Sequence, residues 1–253
     1  MAVTTPLSFN AITDVAGLSV GQASDLALAS GVTAIIFDQP TVCGVDVRGG
    51  APGTHETELL GPEKTVQGID AVVLAGGSAF GLEATAGVAA HLAEQGRGFA
   101  IGRARIPIVV GAILFDMLNG GNKAWGRFSP YRDLGYQAAG LARPGPVAIG
   151  TVGAGTGALT ADLKGGLGTA SALSPSGHTV GAIVAVNALG SATIGASGHF
   201  WAATDERNQE FGGLGLPHPW PADATRIKLK GAISENTTIA LVATDAILTK
   251  GEA

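Results

Sequence analysis

Three residues near the end of the chain, Asn236, Thr237 and Thr238, stand between a polar stretch and the apolar run "IALVATDAIL". A threonine hydroxyl is a weak nucleophile that needs a base, and when threonine is the first residue of a chain its own α-amine can serve. With a reference pKa of about 7.7–8.0, much of that amine is unprotonated near neutrality. Such a terminus would arise here if the Thr237 hydroxyl attacked the carbonyl carbon of Asn236, giving an ester that water then opens. The chemistry would be cleavage of amide bonds through an acyl ester. The same three residues also fit a turn followed by a strand, because Asn belongs in turns and β-branched residues belong in strands.

Other motifs carry less chemistry. "GGSAFG" (76–81) approaches the G-x-S-x-G nucleophile elbow, but its fifth position is Phe80, so Ser78 is expected to cap a helix start. "GAGTGA" (153–158) fits G-x-G-x-x-A, yet the following "LTADLKGGLGTAS" is broken by Gly165 and Gly166 where a nucleotide-binding helix should run. A nicotinamide cofactor is not expected, although a turn presenting N–H groups to a ligand stays open. His55, Glu56 and Glu58 are close in sequence, but no other histidine shows ligand spacing, so no metal is expected. Cys43 is the single cysteine, which rules out an intrachain disulfide and reads as a small packed hydrophobe.

The elements that must position such residues are visible as short apolar runs. Strands are expected at 31–37, 70–77, 146–152, 181–189 and 237–248, each bounded by Gly, Pro, Asp or Ser. A helix is expected after Ser78, with Leu82, Ala86, Ala89 and Leu92 on one face and Gly96 at its end, and a shorter one over 132–142. Residues 201–230 gather charges, glycines and prolines and read as a long surface connection, of the kind that is usually functional or mobile. The whole chain, 1–253, reads as one domain of mixed α/β layers. Charged residues make up only 14% of it, and its 40 glycines point to tight turns and close backbone packing. The net charge of −5 is scattered, without a basic patch, so no nucleic-acid partner is expected. The N-terminus lacks a signal-peptide pattern and no run of 18 apolar residues occurs, so a soluble, cytoplasmic protein without a membrane partner is expected.

Five blocks together, "VDVRGGAPGTHETELL" (45–60), "VVLAGGSAFGLEATAGV" (72–88), "GAGTGA" (153–158), "KGGLGTAS" (164–171) and "NTTIALVATDAILTK" (236–250), resemble the P1 peptidase family. That family includes L-aminopeptidase/D-esterases, β-peptidyl aminopeptidases and the endo-type 6-aminohexanoate oligomer hydrolases known as nylon hydrolases. The blocks occur in family order and span the chain almost end to end. The resemblance implies an α/β (α+β) fold arranged as an αββα layered sandwich. It also implies self-cleavage before a Ser or Thr that becomes the N-terminal nucleophile. Here the matching bond is Asn236–Thr237, similar to the nylon hydrolase branch, and Thr237 is the implied nucleophile.

Further roles follow from the same resemblance. Asn187 matches an asparagine that positions the nucleophile and the reacting carbonyl. A family lysine near the nucleophile matches Lys164, with Asp162 competing for that alignment. Phe115 stands where many relatives place a Tyr, leaving an aromatic wall in the substrate pocket. Gln22 replaces a His, with no catalytic consequence drawn. The implied enzyme needs no cofactor, acts on short peptides or 6-aminohexanoate oligomers, and assembles as a homo-oligomer. Cleavage would divide the chain into 1–236 and 237–253, and 253 minus 236 leaves 17 residues after the cut. Relatives continue into an acidic stretch, so a truncated product, a separate C-terminal chain or a version that does not mature are all expected alternatives. An uncleaved small-molecule binder and an acyltransferase using the same ester are the rival functions.

Overall fold

The computed structural model describes residues 7–230 and 235–253. In chain order its strands and helices are β1 (Leu18–Asp25), β2 (Ser30–Thr41), β3 (Thr54–His55), β4 (Ile69–Ala75), α1 (Glu83–Glu94), β5 (Phe99–Ile101), β6 (Ala104–Ile106), β7 (Val109–Ile113), α2 (Tyr131–Gly140), β8 (Gly166–Leu173), β9 (Thr179–Asn187) and β10 (Thr237–Thr244). Strands β1, β2, β4, β7 and β3 form one sheet in that order, antiparallel except for the parallel β4/β7 pair, and α1 lies in the connection between those two. Strands β10, β9 and β8 form a second, antiparallel sheet, and β5 and β6 a separate hairpin.

The first sheet is covered on both faces, which explains why β4 is apolar from Ala71 to Ala75 and is buried throughout, Asp70 included. Alternate residues point to opposite faces of a strand. In β2, Val32, Ala34 and Ile36 therefore join a core with Val88 and Leu92 of α1 and Leu134 and Ala138 of α2. Ile35 and Phe37 instead join a second core with Leu167, Ile183 and Ala185 of β8 and β9, against which Ile239, Leu241 and Ala243 of β10 pack. Helices, first sheet and second sheet thus stack as three layers, a mixed α+β arrangement. The outward face of the second sheet carries Val180, Ala182, Val184 and Val186 beside Thr238, Ala240 and Val242, with no charge among them.

Several expectations shift in detail. The run 146–152 is not a strand; Pro146 and the left-handed Gly150 (φ +86°) leave only a single bridge, Gly150 to Leu167. Ser78 does not cap a helix: it has φ +53° and lies inside the 3₁₀ turn that precedes α1, where Gly77 holds the cap position, and the cap position of α1 itself is held by Leu82. On α1 the buried residues are Ala84, Thr85, Gly87, Val88 and Leu92, whereas Ala86 is exposed. The helix packs on the sheet and on α2 at once, so its buried stripe is rotated from the one predicted. Gly96 does end the helical stretch, at φ +70°.

The α1/α2 contact depends on absent side chains. A methyl on Gly87 would lie 1.9 Å from the Arg132 carbonyl oxygen, and one on Gly135 would lie 2.2 Å from that of Ala84. In an exposed helix interior Gly→Ala stabilises by about 1 kcal/mol. Here the sign should reverse: Gly135→Ala is expected to lose about 1–3 kcal/mol through overpacking. Urea unfolding checks this, and a stabilised variant would show that the helices are free to part.

Candidate active site

The second sheet brings together two of the residues singled out in the sequence. Strand β10 pairs with β9 in a register that sets Thr237 directly opposite Asn187. Opposed residues of an antiparallel pair share a face, with Cβ atoms roughly 4.5–5.5 Å apart. The shared face is the inner one, because Thr237 alternates with Ile239 and Leu241, which pack on the core. Thr237 is half-buried and Thr238, on the other face, is exposed.

Asn187 is 2% exposed, so its amide must find partners inside the protein. Its Oδ1 accepts the Leu159 N–H at 2.9 Å, and its Nδ2 donates to the Phe115 carbonyl at 2.8 Å. That nitrogen carries a second hydrogen. The Asn187 backbone carbonyl accepts from Lys230 Nζ at 2.7 Å, and the same ammonium reaches the Glu235 carbonyl at 3.4 Å. Burial pushes the Lys230 pKa below the usual lysine range, against an opposing pull from the Glu235 carboxylate.

Beside this pair lies a cavity of about 220 Å³ whose walls include Phe115, Asn119, Leu159, Asn187, Lys230 and Glu235. Phe115 therefore stands at the pocket, as an aromatic wall. Lys164 is placed differently: its side chain is exposed, two residues before Gly166, and it does not line the cavity. Asp162 is also turned away, in an ion pair with Lys228. Lys230 was not singled out from sequence, since a lysine in a polar connection carries no local signal of burial. Its short spacing from Asn236 was the available clue.

Asp116 adds a buried acid next to Phe115. Its Oδ1 accepts the Gly77 N–H at 2.7 Å and its Oδ2 accepts the Ser30 hydroxyl at 2.6 Å, while Tyr131 donates to Ser30 at 2.8 Å. Lys123 lies 3.9 Å away. The "GAGTGA" turn uses its N–H groups internally: Gly153 donates to Ser24 and Ala154 to Thr33. It braces the strands rather than cradling an anion.

Residues 10–253 match the model of peptidase family S58. A protein named uncharacterized aminopeptidase from Mycobacterium leprae (strain TN) is 43% identical over 256 residues, which cover 94% of this chain and 68% of that one. A 6-aminohexanoate-oligomer endohydrolase from Kocuria sp. (strain KY2) is 34% identical over 145 residues, 56% of this chain and 36% of its own. Among solved structures, a Burkholderia sp. β-aminopeptidase superposes with a TM-score of 0.66 at 25% identity, covering 99% of this chain and 66% of its own. The chain thus spans about two thirds of the length of these two aminopeptidases. It belongs to peptidase family S58.

Burial holds the Asp116 carboxyl pKa above its ordinary value, against the pull of Ser30, the Gly77 N–H and Lys123. A folded pKa above the unfolded one means a contribution to stability that is full below the unfolded value and is lost as pH rises through the folded one. Asp116→Asn removes that titration while losing hydrogen bonds at every pH. The stability gap between wild type and variant should therefore narrow as pH rises from about 3.5 to 7, as read from urea midpoints. A gap independent of pH would show that Asp116 does not titrate in this range.

Proposed function

We propose that this member of peptidase family S58 is an autoprocessing amide-bond hydrolase whose nucleophile is Thr237. The observation that carries the reading is the direct pairing of Thr237 with Asn187 at the end of the second sheet, beside a cavity walled by Asn187, Phe115 and Lys230. In the first reaction the Thr237 Oγ attacks the Asn236 carbonyl carbon. The C–N bond breaks as an ester forms, and the freed amine takes the hydroxyl proton. Water then cleaves the ester, leaving an Asn236 carboxylate and a Thr237 with a free α-amine.

In the second reaction that α-amine accepts the Oγ proton as Thr237 attacks a substrate amide, and returns it to the leaving amine. A tetrahedral oxyanion forms on the way. The second N–H of Asn187 and a lysine ammonium are the donors suited to it. Lys230 faces the cavity, while Lys164 would have to swing in from solvent, so Lys230 is the favoured cation and Lys164 the alternative. Water hydrolyses the acyl ester and regenerates the enzyme. The small cavity and the Phe115 wall suit short peptides or linear aliphatic amides, the chemistry named in the relatives. One observation favours a non-catalytic binder instead: in the uncut chain the Asn187 oxygen and one of its two N–H groups are already held by Leu159 and Phe115, which leaves a single N–H for a ligand.

Intact mass under denaturing conditions, with N-terminal sequencing, separates the two. The hydrolase reading expects a fragment that begins at Thr237, and a Thr237→Ala chain that stays whole at 25.0 kDa and cleaves no amide. A wild-type chain that stays whole, or a Thr237→Ala variant that still matures, would sink it. Lys230→Met should slow self-cleavage and turnover by about 10²-fold, the scale of one lost oxyanion donor, with Lys164→Met near wild type. The reverse ranking would assign the oxyanion role to Lys164.

A further inference from the structure

A second cavity, of about 320 Å³, opens on the other side of the turn that walls the first. The partition is hydrogen-bonded: Ala161, in the wall of the first cavity, donates its N–H to the Gly190 carbonyl, in the wall of the second, at 2.9 Å. Its size falls at the small end of ligand pockets, about 300–1,000 Å³. Ser191, Thr193, Trp201, Arg226, Ile227 and Lys228 line it. Most of its polar groups are already committed. Lys228 is ion-paired with Asp162, which also accepts from Ser191, and the Ser191 and Thr193 hydroxyls bond to each other at 2.9 Å.

Among the charged side chains that line it, Arg226 is the exception. Among the described residues no carboxylate lies within 4.0 Å of its guanidinium, and neither Asp162 nor the nearby Asp223 pairs with it. A single uncompensated guanidinium suits a single carboxylate, whose two oxygens match its fork of N–H donors. A phosphate dianion would find no second unpaired cation among the described residues of the lining, since Lys228 is held by Asp162. The neighbouring wall is apolar: Trp201 is 50% exposed and Ile227 is 74% exposed, so an alkyl chain attached to the carboxylate would cover surface that is now open.

We propose that this cavity is a carboxylate subsite, in which Arg226 receives the free carboxylate of an aliphatic ligand and Trp201 and Ile227 receive its chain. On the hydrolase reading, on which the ligand's identity rests, the occupant is the carboxylate end of the amide substrate. The adjoining turn places that end next to the pocket beside Thr237. Residues 201–230 then have a task that the nucleophile and its helpers do not give them.

The test uses the full chain with hexanoate and its uncharged counterpart hexanamide as probes, read by tryptophan fluorescence, with Trp201→Phe assigning the signal. Wild type should bind hexanoate at least about tenfold more tightly than hexanamide, the scale of one charge-assisted hydrogen bond. Arg226→Gln should bind the two alike with an unchanged melting temperature. Equal binding of both probes to wild type, no binding of either, or a preference that survives in Arg226→Gln would overturn the proposal. In turnover, Arg226→Gln should raise KM about tenfold for an amide with a free carboxylate end, leave KM for its carboxamide alone, and spare kcat in both. A KM that rises equally for both substrates would also overturn it. A chain that discriminates hexanoate through Arg226 but hydrolyses no amide keeps the subsite and removes the hydrolase reading.

Discussion

A buried primary amide must satisfy an acceptor and a donor at once, and the placing of Asn187 depends on that demand. Its carbonyl oxygen holds Leu159, from the glycine-rich segment before β8, and its nitrogen holds the carbonyl of Phe115, just after β7. One side chain therefore ties the end of the second sheet to the segment that leaves β7 of the first. The β10 ladder then brings Thr237 to the same point without a further tether. Removing the amide would take away the partner of two part-buried backbone groups, the Leu159 N–H and the Phe115 carbonyl, at a cost of about 0.5–1.5 kcal/mol for each bond.

The same economy of polar groups extends to the lysines. Lys230 donates to the carbonyl of Asn187, Lys123 to that of Leu28, and Lys250 to those of Leu59, Lys64 and Val66. In each case a long side chain reaches backbone carbonyl groups far away in sequence. Lys250 is only 9% exposed and fastens the stretch after β10 to the body of the molecule. If the chain is cut before Thr237, the β9/β10 ladder and this lysine are what would hold the released segment in place.

Small residues set the spacing in which these groups meet. Gly87 and Gly135 allow the two helices to touch, Gly21 approaches α2 with no room for a methyl, and Gly157 lies against Asp116 and Asn119. The sparse charge of the chain follows from the same architecture. A sheet covered on both faces needs two apolar sides, so strands such as β4 spend none of their positions on solvent.

Local sequence was enough for the runs that became β2, β4, β9 and β10 and for both helices, because apolar periodicity is written along the chain, and it singled out Thr237, Asn187 and Phe115 before their surroundings could be seen. It was misleading where one element serves two neighbours. The buried stripe of α1 turned toward α2 as well as the sheet, and 146–152 lost its strand to a left-handed glycine and a proline. Strands β1, β7 and β8 were not distinguished, since Gly and Ala within them blur the apolar signal. Which lysine reaches the cavity, and that among the described residues Arg226 has no ionic partner while Lys228 has one, could be decided only in three dimensions. A side chain's burial and its ionic partners are set by residues far away in sequence, and the sequence determines the elements before it determines what they will face.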